Sequence, residues 1–198
     1  MLQFVPANFR SVLDVGCGGG DFSLSLKKLN DCEVWGVEPN QTAYTVASNR
    51  LDRVLLGSIE EISVKLPYKY FDLVIFNDVL EHLIEPQTAL VIAKRVLTEN
   101  GALVVSLPNI RYFHTVVDLL FRKDWSYQEY GVLDRTHLRV FTKLSTLRMF
   151  EEAGFSVYAV KGINPTKSRF FKLCNLLSMH LIDDMKFLQF TFVLYKSE

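Results

Sequence analysis

The chain has 198 residues, of which 49% are hydrophobic, and its 22 basic and 22 acidic residues give a formal net charge of zero. This length suits one domain with a full core, and the charge balance gives no indication of a nucleic-acid partner or a membrane surface. Three scattered cysteines are too few for a disulfide framework or a zinc cluster. Met1–Arg10 lacks a signal-peptide pattern, and no apolar run reaches the ~18–20 residues of a membrane span. We therefore expect a cytoplasmic protein.

The first predicted strand runs into a glycine-rich turn, in the stretch SVLDVGCGGGDF from Ser11 to Phe22. Its apolar residues predict a buried strand, and a helix is expected from about Asp21. Glycine suits a turn with unusual backbone angles and a ligand that closely approaches the main chain. A dinucleotide fingerprint starting at Gly16 would need glycine where Asp21 stands. The turn therefore predicts a nucleotide-type site of another kind, at the carboxyl end of the strand.

The pattern D-x-G-x-G-x-G, from Asp14 to Gly20, resembles motif I of the class I S-adenosylmethionine-dependent methyltransferases. The resemblance implies a Rossmann-like fold and S-adenosyl-L-methionine as the cofactor. It implies that the glycines of the turn admit the methionine end of that cofactor, and that Asp14 orders the turn and the cofactor ammonium. The residues of this stretch assigned to cofactor binding are Asp14, Gly16, Cys17, Gly18, Gly20 and Phe22.

The second predicted strand, Glu33–Val37, ends in Glu38-Pro39-Asn40. Glu38 lies about twenty residues beyond the turn, where an acidic side chain can accept the hydroxyls of a ribose. The resemblance gives a carboxylate at this motif II position that role, with Pro39 beside it. A helix is expected over Asn40–Arg50, with Asn40 as its N-cap.

The third predicted strand, Arg53–Leu56, is followed by Ser58 and Ile59. In the family that the chain resembles, the position of Ser58 is often an aspartate that binds the adenine amino group, and an apolar neighbour packs on the ring. The Ser58 hydroxyl can accept the same bond, as a neutral group and less strongly. A loop serine without ligand contact is the alternative.

The fourth predicted strand, Phe71–Phe76, is an apolar run typical of a strand buried on both faces of a parallel sheet. Asn77 and Asp78 follow it in a segment that resembles motif IV of the same superfamily. The resemblance implies that both residues lie beside the methionine part of the cofactor. A helix is expected from Glu85-Pro86 through Leu97.

Asp78, Glu81 and His82 have i, i+3, i+4 spacing, which would gather them on one face of a helical turn. Such a set can bind a divalent cation, as some quinone-precursor O-methyltransferases that resemble this pattern do, or place a general base beside the methyl group. Alternatively, Glu81 satisfies a helix N-terminus while His82 packs near the cofactor. We assign His82 as a catalytic candidate and assign no metal ligand.

Asn100-Gly101 is expected to end that helix, and Ala102–Leu107 is the fifth predicted strand. The repeated alternation of strand and helix predicts an α/β fold, with a doubly wound parallel sheet and right-handed crossovers.

Residues 108–141 interrupt this alternation with a long, aromatic segment of mixed charge. Because long connections in compact domains are often functional, we expect this segment to form the acceptor pocket and a lid. Within it, DRTHLRVFT, starting at Asp134, resembles a string in a subset of bacterial and archaeal methyltransferases that often act in sugar and surface-polysaccharide pathways. His137 can take a hydroxyl proton near neutral pH, and Asp134 accompanies it as a catalytic candidate. A structural histidine is the alternative.

Thr142 is expected to cap a helix through Glu152. The remaining elements are a strand over Phe155–Val160, a helix over Lys167–Leu181 and a last strand over Phe187–Tyr195. This order resembles the end of the superfamily's seven-stranded sheet, whose last strand is antiparallel. We therefore predict one methyltransferase domain over residues 1–198.

The predicted function is methyl transfer from S-adenosylmethionine to a small-molecule acceptor, with an oxygen of a sugar or polysaccharide precursor as the main interpretation. A quinone precursor or another small molecule is the alternative acceptor. A non-catalytic S-adenosylmethionine-binding protein would need neither His82 nor His137. An NAD(P)-dependent oxidoreductase would share Glu38, but Asp21 and the motif IV match count against it.

Overall fold

A computed structural model describes residues 1–197 of the chain. The strands are β1 Ser11–Val15, β2 Glu33–Glu38, β3 Arg53–Leu56, β4 Phe71–Asn77, β5 Leu97–Pro108, β6 Phe155–Pro165 and β7 Phe187–Lys196. The α-helices are α1 Asp21–Leu29, α2 Gln41–Ser48, α3 Ile59–Ile62, α4 Pro86–Val96, α5 Phe113–Val117, α6 Lys143–Glu152 and α7 Arg169–Leu177. Short 3₁₀-helices cover Leu2–Phe4, Ser63–Lys65, Leu80–His82 and Asp183–Lys186, and a π-helix covers Asp118–Arg122.

The seven strands form one sheet in the order β3-β2-β1-β4-β5-β7-β6. The pairs from β3 to β5 are parallel, whereas β7 is antiparallel to both β5 and β6. The predicted α/β, Rossmann-like fold with an antiparallel last strand is therefore confirmed. This order puts the carboxyl ends of β1, β2, β3 and β4 at one edge of the sheet, where ligands bind in open α/β folds.

The sheet is buried on both faces, and alternate residues of its central strands belong to two separate apolar clusters. In β1, Val12 faces one cluster while Leu13 faces the other, and in β4 Ile75 and Phe76 divide in the same way. All four side chains are fully buried, so the central strands cannot alternate apolar and polar residues. The apolar run predicted as a doubly buried strand over Phe71–Phe76 is confirmed.

The predicted end of α4 at Asn100-Gly101 is wrong, because α4 ends at Val96 and both residues lie within β5. A Cβ atom at Gly101 would lie 2.9 Å from the carbonyl oxygen of Phe71 and 2.8 Å from Cδ2 of Leu97. The pairing of β4 with β5 also shifts register here, between Phe71 and Leu73. Gly101 therefore allows two strands to approach each other at an irregularity, and it does not cap a helix.

Near the C-terminus β6 continues to Pro165, and α7 covers less than the predicted Lys167–Leu181. The extension follows from pairing with β7, since Ile163 lies opposite Gln189 in the antiparallel register. The helices predicted after Asn40 and Thr142 are confirmed, and both caps accept backbone hydrogen bonds. Within residues 1–197 no helix has the length and apolar character to cross a membrane.

Candidate active site

The glycine turn connects β1 to α1 with three residues in the left-handed region: Gly16 at φ 70°, Gly18 at φ 54° and Gly20 at φ 85°. A Cβ atom at Gly16 would lie 2.6 Å from Cγ2 of Val79, so the turn and the segment after β4 can approach only because the side chain is absent. At Gly18 a Cβ atom would meet nothing within 4 Å. The turn therefore leaves open space above its main chain, as close approach by a ligand requires.

Asp14 is buried beneath this turn, with 2% of its surface exposed. The Ser23 hydroxyl of α1 donates a hydrogen bond of 2.6 Å to its Oδ2 atom. Burial raises the pKa of Asp14 to about 6, although the bond from Ser23 lowers it and the charge of Glu38 adds to the rise. Asp14 thus ties β1 to the first helix, and its role in ordering the turn and the cofactor ammonium stays a prediction.

Gly20, Cys17 and Phe22, three of the predicted cofactor residues, support the glycine turn and do not line the cavity described below. Gly20 is the N-cap of α1, and its amide donates to the carbonyl of Cys17 at 2.9 Å. Cys17 is buried against Gly36, where a Cβ atom would lie 2.6 Å from its sulfur. Burial raises the pKa of the Cys17 thiol to about 12, which makes it a packing residue and a poor nucleophile. Phe22 packs against the apolar cluster to which Cys17 belongs.

Glu38 joins the end of β2 to the glycine turn. Its Oε2 accepts a hydrogen bond from the Gly18 amide at 2.8 Å, and its Oε1 accepts one from the Asn40 amide, also at 2.8 Å. A carboxylate offers about four acceptor positions, so two remain for ligand hydroxyls. The carboxylate is thus held in place by the main chain before any ligand binds.

A cavity of about 390 Å³ lies at this edge of the sheet, and we call it the donor cavity. Its wall is mostly apolar, with Glu38 as a carboxylate on one side. It brings together six of the predicted cofactor residues: Gly16, Glu38, Pro39, Ser58, Ile59 and Asp78. The remaining lining residues are Val15, Val37, Gly57, Val79, His82 and Leu83. A left-handed glycine turn, a preset carboxylate and apolar walls fit the three parts of an adenosyl-methionine group.

Ser58 has a structural contact as well as its place on this wall. Its hydroxyl accepts a bond from the Glu61 amide at 3.3 Å, and Oε2 of Glu61 accepts one from the Ser58 amide at 2.9 Å. This reciprocal capping box begins α3. Ile59 follows it and is buried in the core. A contact of either residue with adenine stays a prediction.

Asp78 lies at the carboxyl end of β4 with a positive φ of 56°, which is uncommon for a residue with a side chain. Its Oδ1 is 2.8 Å from the Ser106 hydroxyl, and its Oδ2 accepts a bond of 2.8 Å from Nε2 of Gln189. The same hydroxyl lies 3.0 Å from Oδ1 of Asn77, which stands outside the donor-cavity lining. Sequence reasoning missed Ser106 and Gln189, since only the position of β7 beside β5 brings Gln189 there.

Asp78, Glu81 and His82 do not share one face of a helical turn as predicted, although all three line one cavity, described below. The segment forms a 3₁₀-helix over Leu80–His82, and Asp78 lies before it. The alternative in which Glu81 satisfies a helix N-terminus is also wrong, because neither of its carboxyl oxygens has a hydrogen-bond partner within residues 1–197. Glu81 is 1% exposed, and burial raises its pKa to about 8.

A second cavity, of about 160 Å³, adjoins the donor cavity, and we call it the acceptor cavity. The two share Asp78 and His82. The others around it are Glu81, Pro108, Gly131, Val132, Asp134, His137, Leu188 and Gln189. All three predicted catalytic residues, His82, Asp134 and His137, therefore surround one space.

His137 is held in a defined tautomer. Its Nδ1 lies 3.2 Å from the carbonyl oxygen of Val132, which can only accept, so Nδ1 carries the proton. Nε2 is left with its lone pair and lies 4.0 Å from Oε1 of Glu81. Burial lowers the pKa of His137, which keeps the ring neutral and able to accept a proton at neutral pH.

His82 and Asp134 are connected through Thr136. The Oδ1 atom of Asp134 accepts bonds from the Thr136 amide at 2.8 Å and from its hydroxyl at 2.6 Å, and these bonds lower the pKa of Asp134. Nδ1 of His82 lies 3.2 Å from both the carbonyl oxygen and the hydroxyl of Thr136. The rings of His82 and His137 are 4.9 Å apart. Asp134 therefore shapes the turn against which His82 rests.

Glu81, His82 and His137 each offer one ligand atom, and these atoms lie within 4.8 Å of one another. This differs from the set considered from the sequence, since His137 replaces Asp78. A carboxylate with two imidazoles is a donor set that a divalent cation can use.

The long segment over residues 108–141 contains α5 and the π-helix, followed by irregular chain with an isolated bridge between Gln128 and Asp134. Gly131, Val132, Asp134 and His137 of this segment line the acceptor cavity. The segment therefore supplies much of that cavity, whereas its movement as a lid stays a prediction.

Comparisons with known proteins show which family the chain is similar to. A protein-family profile described as "Methyltransferase domain" matches residues 2–160. The demethylmenaquinone methyltransferase of Lactiplantibacillus plantarum is 32% identical over 178 residues, which cover 78% of this chain and 74% of that protein. The mitochondrial ubiquinone biosynthesis O-methyltransferase of Bos taurus is 30% identical over 80% of this chain and 44% of its own length. The ubiquinone biosynthesis O-methyltransferase of Bradyrhizobium diazoefficiens is 34% identical over 50% of this chain and 40% of its own length. The chain thus spans less than half the length of several curated relatives that it matches.

Among solved structures, a SAM-dependent methyltransferase from Archaeoglobus fulgidus superposes with a TM-score of 0.68 at 20% identity. The alignment covers 96% of this chain and 87% of the archaeal one. At this level of identity the similarity concerns the fold.

Proposed function

Because the chain belongs to the class I S-adenosylmethionine-dependent methyltransferases, we propose that it methylates an oxygen of a small molecule, with a quinone precursor as the acceptor. The observation that carries this proposal is the adjacency of the two cavities, which share Asp78 and His82. A group bound in one cavity and an acceptor bound in the other would meet at these two residues.

The donor cavity would hold S-adenosylmethionine, which supplies an electrophilic methyl group when bound. Glu38 would accept the ribose hydroxyls, because two amides already hold its carboxylate in place. The glycine turn would lie against the methionine end, and Asp78 would face it from β4. Pro39, Ser58 and Ile59 would surround the adenine.

On the acceptor side, His137 is the group best suited to receive the proton of a hydroxyl. Its Nε2 carries a free lone pair beside the cavity, and its lowered pKa keeps it neutral. His82 lines both cavities and would position the acceptor oxygen. Holding the reacting groups in line can lower a barrier by roughly 7–11 kcal/mol, and a general base adds a factor of about 10²–10⁴.

The choice of acceptor draws on the relatives, several of which are named as ubiquinone biosynthesis O-methyltransferases. A sugar hydroxyl is the second candidate. It is favoured by the DRTHLRVFT string and by the polar groups of Asp78, Asp134 and Gln189 around the acceptor cavity. Both acceptors present a hydroxyl group, so the same base serves either.

Calorimetric titration with S-adenosylhomocysteine, with NAD as the control ligand, tests the donor half. We expect micromolar binding of the first and none of the second. Binding of NAD alone would overturn the interpretation of the glycine turn. Binding of neither would count against the donor cavity as assigned.

Turnover tests the acceptor half, with the release of S-adenosylhomocysteine as the measurement. A hydroxylated quinone precursor and a sugar nucleotide are compared under the same conditions. We expect turnover with the quinone precursor, and turnover with the sugar nucleotide alone would select the second candidate. Donor binding without turnover on any hydroxylated acceptor would favour a non-catalytic S-adenosylmethionine-binding protein.

A further inference from the structure

Helix α7 has an apolar face directed into solvent. Its inner side is fixed by Phe171, which is 2% exposed and packs with Phe113 and Met185. The opposite side carries large apolar residues at helical spacing, of which Phe170 also contacts the ring of Phe113 at the edge of this side, and the turn after the helix adds two more. We call these six residues the α7 face: Phe170, Leu173, Leu176, Leu177, Met179 and Leu181, which are between 52% and 80% exposed. A surface helix ordinarily turns polar residues outwards, whereas this apolar face is not buried by any part of residues 1–197.

The charges along the same segment all have one sign. Between Lys167 and Ile182 the chain has three basic residues, Lys167, Arg169 and Lys172, and no acidic residue. Of the two aspartates that follow, Asp184 pairs with Arg111 at 2.6 Å, whereas Asp183 is exposed and accepts a bond from the neutral amide of Asn175 at 3.2 Å. The segment is therefore both apolar and basic.

We propose that the α7 face docks on the surface of a membrane that contains anionic lipids. A helix with exposed apolar residues and flanking bases lies in the plane of the interface, with its apolar side chains at the boundary of headgroups and acyl chains. Arg169 and Lys172 would then lie at the level of the lipid phosphates, where each basic residue adds electrostatic attraction. The charge of the segment is what selects an anionic surface over another occupant.

A second copy of this chain fits the face less well. In a two-fold dimer the same patch meets itself, so the basic segment of one copy would face the basic segment of the other. Just beyond this segment, Asp183 offers one exposed carboxylate against the three bases Lys167, Arg169 and Lys172. Like charges across an interface oppose association, whereas an anionic surface complements them.

The neighbouring elements connect this face to the acceptor cavity. Helix α5 packs against α7 through Phe113, and the π-helix that continues it exposes Leu120 and Phe121. A further cavity of about 340 Å³ shares Gly131 with the acceptor cavity and extends to Thr115 of α5. Docking through α7 would therefore bring α5, which lies near the acceptor cavity, close to the membrane. The docking itself does not rest on the proposed activity and is measured without turnover.

Vesicle flotation tests the proposal with the full chain. Phosphatidylcholine vesicles are compared with vesicles in which about one-third of the lipid is phosphatidylglycerol. We expect the protein to float with the anionic vesicles, with little binding to the neutral ones. Leu173→Ser combined with Leu177→Ser should abolish flotation, and Arg169→Glu combined with Lys172→Glu should weaken the partition by about tenfold or more.

The matched control is Leu29→Ser combined with Val91→Ser, which replaces two exposed apolar residues of α1 and α4 outside the α7 face. The control should float like the unchanged chain. The proposal is overturned if the unchanged chain does not bind anionic vesicles, or if the Leu173/Leu177 variant binds them equally. It is also overturned if light scattering shows a dimer that this variant converts to a monomer, because a second copy then covers the face.

Discussion

The Nε2 atom of His137 lies 4.0 Å from Oε1 of Glu81, a buried carboxyl whose oxygens have no hydrogen-bond partner within residues 1–197. An unpartnered carboxyl in a core is costly when it is charged, so such a group stays protonated to a higher pH. The pair therefore combines a neutral imidazole and a protonated acid on the wall of the acceptor cavity.

Glu81 is expected to make the stability of the protein fall as pH rises. Its pKa is about 8 in the folded state against an ordinary value of 4.5, so the folded state holds the proton more firmly than the unfolded chain does. The free energy of unfolding should decrease through the window between these values, and Glu81→Gln should remove that decrease. The difference in the free energy of unfolding between the variant and the unchanged chain should therefore shift in favour of the variant by a few kcal/mol between pH 4.5 and pH 8.

Chemical denaturation at several pH values measures this difference. The control is Glu151→Gln, which removes a carboxyl from the exposed side of α6. The structure indicates that the Glu81 carboxyl is desolvated. That conclusion would be contradicted if the difference in stability between Glu81→Gln and the unchanged chain stayed constant from about pH 5 to about pH 8.

Asp14 should add a smaller effect with the same sign at lower pH. Its pKa of about 6 in the folded state exceeds the ordinary 3.8, so its contribution to stability is lost as pH rises from about 4 to about 6. Replacing it by Asn keeps an acceptor for the Ser23 hydroxyl and removes the titration. Between about pH 4 and about pH 6, the free energy of unfolding of the Asn variant should rise by up to about 3 kcal/mol relative to that of the unchanged chain. Thermal unfolding at matched pH values checks this, and a constant difference would contradict it.

Gly16→Ala should impair both stability and cofactor binding. The new Cβ atom would lie 2.6 Å from Cγ2 of Val79, at a φ of 70° that alanine adopts only with strain. We expect a loss of about 1–3 kcal/mol in stability and weaker binding of S-adenosylhomocysteine. Gly19→Ala is the matched control, because its Cβ atom would meet no other atom closer than 3.4 Å. Equal binding by the two variants would argue against the turn as a cofactor site.

Glu38→Gln tests whether the carboxylate that closes the glycine turn also holds the ribose. An amide can accept only one of the bonds that Gly18 and Asn40 now donate, and its NH₂ group would face the other donor. We expect the affinity for S-adenosylhomocysteine to fall by about tenfold or more. Calorimetry measures it, with Glu151→Gln as the control for the loss of one charge. Unchanged affinity would remove Glu38 from the site.

His137→Ala and His82→Ala should each keep donor binding and lose turnover. Removal of the base should cost a factor of about 10²–10⁴ in kcat, while His180→Ala, outside the two cavities, should have no effect. Because the pKa of His137 is lowered, the acid limb of its pH–rate profile should lie below the ordinary 6.5 of a histidine. Full turnover by both variants would leave the histidines with structural roles only.

The amino-acid sequence was sufficient to predict the fold and to propose the residues that bind the cofactor, because both predictions depend on local patterns. Apolar runs, the glycine turn from Gly16 and the acidic residue at position 38 follow in order along β1 and β2, and parallel strands bring their carboxyl ends to one edge. The caps at Asn40 and Thr142 were predictable for the same reason, since each cap bonds to amides within three residues.

Only the tertiary structure decided the acceptor half. Glu81 meets His137 because the chain between them returns over the end of β4, and no spacing along the sequence encodes that contact. Gln189 reaches Asp78 because β7 inserts between β5 and β6. The exposure of the α7 face is likewise a result of the tertiary structure, because the sequence shows apolar residues at helical spacing but not which side of the helix packs on the core. Contacts between distant segments depend on how the elements pack, and packing is not a local property of the chain.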